Sequence, residues 1–168
     1  MSALEVLQSC PEQRKLLLSA IGAVDIQDSN LIIFNLENST PHLPQQMAFQ
    51  IPVYIINRPI YQTVIDEGAS TCIMSIQCWK SLGSPTLNQS PTILKAFDGR
   101  GFQPFGILQD LPKGVEGKIV NLDVEVVDAP LDYNLLLGRS WSYAMTAVVS
   151  LFFCLIMFPH KGKIFKID

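Results

Sequence analysis

The chain is poor in metal-binding side chains and in clustered charge. Its only histidines are His42 and His160, and its four cysteines, Cys10, Cys72, Cys78 and Cys154, form no Cys-x-x-Cys pair. That spacing offers no zinc ligand set, so neither a metal nor another cofactor is expected. The unpatterned cysteines read as buried thiols of a reducing, intracellular compartment. The start, Met1-Ser2-Ala3-Leu4-Glu5, has neither a basic nor an apolar segment, which argues against a secretory leader. Twelve Lys and Arg are scattered under a formal net charge of -3, leaving no electrostatic footprint for nucleic acid. No phosphate loop, dinucleotide fingerprint or nucleophile elbow occurs. Ala144 to Phe158 is an apolar run interrupted by Thr146, Ser150 and Cys154. It stops short of the roughly 18 residues that a membrane helix needs, so it reads as a helix end followed by a buried or interface strand.

What is present favours a folded chain. Hydrophobic residues make up 48% and charged ones 16%, a balance that supports a well-buried core rather than disorder. A length of 168 residues suits one domain with an appendage. The division is expected near residue 46, giving an N-terminal extension over 1–46 and a main domain over 47–168. In the extension, Ser9-Cys10-Pro11-Glu12 has the form of a capping box. Leu16, Leu17, Ala20, Ile21 and Val24 then recur at helical spacing. Leu31-Ile32-Ile33-Phe34 suits a short strand, and Asn38 to Pro44 a loop in which His42 is solvated.

From Met47 onward the pattern changes to short strands and turns, an all-β signature. Phe49 to Ile56 is expected to be a strand in which Pro52 forces an edge or bulge. Asn57-Arg58-Pro59 is expected to turn, and Ile60 to Ile65 to return. Ile73 to Leu82 is a mixed apolar stretch ending in Gly83 and reads as a further strand and a short turn. Ile93 to Phe97 and Phe102 to Leu108 flank Asp98-Gly99-Arg100-Gly101, a glycine-tipped hairpin. Lys118 to Val127 alternates, with Leu122, Val124 and Val126 on one face and Asp123 and Glu125 on the other. Leu135-Leu136-Leu137-Gly138 reads as a buried strand ending where another backbone must come close. Arg139 to Met145 suits a short helix, Trp79 and Trp141 suit the core, and a last hairpin joins Leu151–Phe158 to Ile164–Ile167.

The chemistry-bearing stretch is Val64-Ile65-Asp66-Glu67-Gly68-Ala69-Ser70. An apolar strand delivers a carboxylate, and small residues let the backbone fold closely beneath it. The Asp-Glu-Gly tripeptide alone would also suit a solvated turn. Its weight comes from order: a glycine-tipped hairpin follows about thirty residues later, and an apolar triplet capped by Gly138 about seventy later. Water activation by paired carboxylates needs such parts, namely a rigid turn, packed strands bracing it and a cover that excludes bulk water. The chain holds no second copy of the turn, so it would supply half of such a site.

With these motifs the chain resembles the protease region of gypsy-class LTR retrotransposon gag-pol polyproteins, notably those of plant genomes. The resemblance rests on Val64 to Ser70 and on the hairpin Phe97-Asp98-Gly99-Arg100-Gly101-Phe102. It rests also on the run from Asp128 through Trp141 and on Phe158-Pro159-His160-Lys161-Gly162-Lys163. It covers about Gln46 to Asp168, and the Asp-Glu-Gly-Ala-Ser form is similar to a variant that recurs in such plant elements. It implies a mainly β, retropepsin-like closed barrel that pairs with a second copy of itself. Asp66 would be the catalytic aspartate, one from each chain, with Glu67, Gly68, Ala69 and Ser70 in the active-site turn. Phe97, Asp98, Gly99, Arg100 and Gly101 would form a flap over a polypeptide substrate. Leu136, Leu137 and Gly138 would brace the turn. The implied setting is a cytoplasmic retrotransposon particle, with no membrane partner.

Glu67 departs from the family pattern, in which Thr or Ser follows the aspartate and its hydroxyl links the two loops across the dimer axis. An ionised glutamate only accepts hydrogen bonds. Two of them at a dry two-fold axis would repel at a cost of several kcal/mol. Three outcomes stay open: Glu67 turns outward to a cation, two glutamates share a proton, or the fold persists as a catalytically inactive dimerisation module.

Overall fold

The computed structural model describes residues 48–96 and 99–167. The expected extension over 1–46, its helix, strand and loop, and the boundary at 46 lie outside the described residues, as do Phe97 and Asp98.

The described part is mainly β, with two short helices. One seven-stranded sheet is built from β1 (Val53–Ile55), β2 (Arg58–Ile60), β3 (Thr63–Ile65), β4 (Cys72–Ser75), β7 (Gly106–Val115), β8 (Lys118–Val127) and β9 (Leu135–Leu137). Their order is β2-β1-β7-β8-β4-β9-β3. The sheet curls back on itself, because Ile51 N–H donates to Thr63 O (3.1 Å) and Ile65 N–H to Phe49 O (3.1 Å). These bonds tie β3, at one end of the order, to the segment that leads into β1, leaving a nearly closed barrel. Its core is mainly apolar: Val53, Ile55, Met74, Val124, Val126, Leu135, Leu137 and Trp141 are fully buried.

Several turns require left-handed backbone, and they differ in part from the expectation. Between β1 and β2 it is Ile56 and Asn57 that turn, with φ of 48° and 60°. Arg58 and Pro59 belong to β2, where proline is tolerated because β2 is an edge strand. The expected continuous return from Ile60 to Ile65 is broken at Tyr61 and Gln62, so that β2 and β3 are separate strands. The β7–β8 hairpin turns through Glu116 and Gly117 (φ 47° and 78°), the pairing that a two-residue turn with right-handed strand twist demands.

In the stretch from Ile73 to Leu82 the expected strand is short, and a helix stands where a short turn was expected. The chain leaves β4 at Ser75, whose Oγ accepts from Cys78 N–H (3.1 Å) and caps helix α1 (Ile76–Ser81). The cap supplies a local stop that β-branched composition hides. Helix α2 (Arg139–Met145) follows β9 directly and buries Trp141 and Met145. The apolar run after it forms β10 (Val148–Ser150), a turn over 151–154 and β11 (Leu155–His160). With β12 (Lys163–Ile167) these make a three-stranded antiparallel sheet whose turn residues Leu151 and Phe152 stay exposed. A two-stranded hairpin, β5 (Leu94–Lys95) with β6 (Gly101–Phe102), stands apart from the barrel sheet. No helix among the described residues is long and apolar enough to cross a membrane.

Candidate active site

The site is built where β9 is wedged between β3 and β4. It runs parallel to β3, pairing Ile65 with Leu137, and antiparallel to β4, pairing Ile73 with Leu136. The connection from β3 to β4 therefore has to pass over the end of β9. It does so through Asp66 to Thr71, and two backbone bonds hold it there: Asp66 N–H donates to Leu137 O (3.0 Å) and Arg139 N–H to Ala69 O (2.8 Å). Gly138 is the crossing point. A Cβ at Gly138 would lie 2.1 Å from Thr71 O and 2.8 Å from Ala69 O, so only glycine lets the two backbones meet.

Asp66 leads this loop, with an exposed carboxylate. Its Oδ1 accepts from Gly68 N–H (2.8 Å), and its carbonyl accepts from Ala69 N–H (3.1 Å). These bonds fix both the backbone turn and the direction of the side chain. A Cβ at Gly68 would lie 3.0 Å from Oδ1, so a side chain there would push the carboxylate by a few tenths of an ångström. The carboxylate borders an open cleft of about 820 Å³ whose lining includes Gly68, Ala69, Ser70, Ile73, Tyr133, Leu136 and Arg139.

The β5–β6 hairpin contributes the facing wall of the same cleft through Ile93, Leu94, Lys95, Ala96 and Phe102. Gly99 turns at φ 82° with open space around it, and Gly99 N–H donates to Ala96 O (2.9 Å). Arg100 returns the chain through its carbonyl to Ala96 N–H (2.9 Å), and a Cβ at Gly101 would meet Ile93 Cγ2 at 3.0 Å. The structure thus brings the Asp66 turn, Leu136 and the hairpin strands around one cleft. Leu137 and Gly138 are buried behind it, where they carry the loop. Glu67 is exposed.

Three titratable residues of the cleft, Tyr133, Arg139 and Lys95, are absent from the site expected on sequence. Tyr133 lines the cleft together with Asp66, and burial, with the charge of Asp66 second, holds its hydroxyl above the usual tyrosine pKa. Arg139 and Lys95 bring two cations to the lining. Position in the quoted motif could have flagged Tyr133 and Arg139; nothing local marks Lys95. Among the described residues no group of His, Cys, Asp and Glu could hold a metal ion.

Neither a family model nor a curated protein matches the sequence. Solved structures do match the fold. The retroviral protease-like domain of Ddi1 from Leishmania major aligns with a TM-score of 0.53 at 15% identity, covering 70% of this chain and 93% of that one. The EIAV protease, solved in complex with the inhibitor HBY-793, aligns with a TM-score of 0.53 at 18% identity, covering 71% and 100%. The chain therefore has the retropepsin-like fold, as the resemblance implied.

Proposed function

We propose that the chain is a retropepsin-like aspartic endopeptidase that works as a homodimer on the polyprotein of a gypsy-class LTR retrotransposon. The observation that carries this reading is the Asp66 carboxylate, aimed by Gly68 N–H at the border of a cleft that the β5–β6 hairpin faces. One carboxylate cannot both take a proton from water and give one to the carbonyl oxygen. A second Asp66, brought by a two-fold interface, completes the pair. Two carboxylates at close range share one proton. The ionised one takes a proton from water as its oxygen attacks the peptide carbonyl, while the protonated partner donates to the oxygen on which charge develops.

In this reading Glu67, Gly68, Ala69 and Ser70 shape the turn, and Leu136, Leu137 and Gly138 brace it. Phe97, Asp98, Gly99, Arg100 and Gly101 form the flap. A polypeptide is the substrate, and the setting is a cytoplasmic retrotransposon particle. The test is cleavage of a peptide library between about pH 4 and 7, a window in which the upper carboxyl of such a dyad is expected to lose its proton. Asp66→Asn serves as control, and equal cleavage by both proteins would remove the assignment.

Glu67 favours a second reading, an inactive dimerisation module with the same fold. Its carboxylate follows Asp66 directly and is exposed, so it could meet its symmetry mate on pairing. That reading expects a stable dimer, no cleavage at any pH and no gain on Glu67→Thr.

A further inference from the structure

Glu125 is buried in mid-sheet with 3% of its surface exposed, although β8 alternation marks it as the face opposite Val124 and Val126. Its register explains where it points. In the ladder it pairs with Ile73 of β4, and Ile73 pairs onward with Leu136. Cross-strand partners share a face, and Ile73 and Leu136 line the cleft. Glu125 thus lies on the same face of the sheet as the cleft floor, covered by the chain that leads into the hairpin.

That covering residue is Ser90, also 3% exposed. Its Oγ donates to Glu125 Oε1 (2.9 Å) and accepts from Thr92 N–H (3.1 Å). Its carbonyl accepts from Gln103 Nε2 (2.9 Å). Thr92 enters the β5–β6 hairpin and Gln103 leaves it, so one serine ties both roots together and fastens them to β8. The second carboxyl oxygen, Oε2, is buried with no hydrogen-bond partner among the described residues. Such a group costs stability wherever it sits, so its retention calls for a role besides core packing. Burial raises the pKa of the Glu125 carboxyl, with the nearby Asp123 adding to the effect and the Ser90 bond opposing it.

We propose that Ser90 and Glu125 form an anchor that sets the β5–β6 hairpin over the cleft, making both positioning residues for the polypeptide held there. The role in substrate handling rests on the function proposed above; the anchor itself does not. Hydrogen exchange of the full chain without substrate tests it directly. In Ser90→Ala and Glu125→Ala, amides of 92–96 and 99–103 are expected to exchange about tenfold faster or more, the loss of one to two buried hydrogen bonds. Amides of β3, β9 and the far end of the β7–β8 hairpin, 113–120, should keep their rates. Glu125→Gln, which still offers Ser90 an acceptor, should restore native protection. Unchanged hairpin exchange in both alanine variants would overturn the proposal. So would uniform acceleration across the barrel, which would make the pair a general core contact. If the protein cleaves peptides, the alanine variants should raise KM more than they lower kcat. If it cleaves none, the endopeptidase reading fails while the exchange result still decides the anchor.

Discussion

Gly138→Ala tests whether the loop carrying Asp66 depends on backbone contact. The added Cβ would sit 2.1 Å from Thr71 O and 2.8 Å from Ala69 O, both backbone atoms that no rotamer change can move. Relief requires the 66–71 loop to lift off the end of β9 by roughly an ångström, the shortfall from ordinary contact. That movement stretches two bonds, Asp66 N–H to Leu137 O (3.0 Å) and Arg139 N–H to Ala69 O (2.8 Å). Each is worth about 1 kcal/mol, and overpacking of a dense site adds about 1–3 kcal/mol. The expected destabilisation is about 3–5 kcal/mol, read as a shift of the urea midpoint at constant slope. Gly117→Ala is the control, since its φ of 78° lies in open space. It should cost about 1 kcal/mol from backbone conformation alone. A Gly138→Ala loss below about 1 kcal/mol, or one equal to that of Gly117→Ala, would refute the reasoning.

Lys113 is buried in the β7–β8 hairpin, donating to Leu111 O (3.2 Å) and Leu122 O (3.0 Å), and burial lowers its pKa to about 8. Because the unfolded chain holds this proton up to higher pH, stability should rise from about pH 8 toward the ordinary lysine value, and Lys113→Met should abolish the rise in denaturation curves. Above about pH 9 the buried Cys78 thiol, raised to about 11, opposes this by keeping its proton only when folded, so the window between 8 and 9 is the informative one. Trp141→Ala removes a fully buried indole behind the loop and should cost about 3–5 kcal/mol by thermal or urea unfolding. If the endopeptidase reading holds, Glu67→Thr should strengthen dimerisation at neutral pH, measured by sedimentation, and leave it unchanged if Glu67 points away from the axis.

Much of the barrel was legible because its strands follow simple periods. Lys118–Val127 and Arg139–Met145 have the bounds that alternation and helical spacing suggested. The triplet before Gly138 is a strand, Leu135–Leu137, buried throughout. Helix α1 was not legible, because its cap, Ser75, sits inside an apolar stretch that composition reads as strand. The turn falls at Ile56-Asn57 rather than at Asn57-Arg58-Pro59, because Pro59 fits an edge strand as well as a turn. At the site, the Asp66 turn could be read because strand, acid and small residues are contiguous. The anchor of the hairpin could not, since Ser90 and Glu125 meet only through tertiary pairing.

The central claim is that this fold supplies half of a catalytic pair, with Asp66 as its carboxylate. Titrating Asp66→Asn protein into a fixed amount of wild-type chain, while following cleavage of a peptide substrate, tests it most directly. Mixed dimers would hold one carboxylate and be inactive, so the rate should fall as mutant chain is added. Cleavage that ignores the added mutant, or that Asp66→Asn protein performs by itself, would contradict the claim.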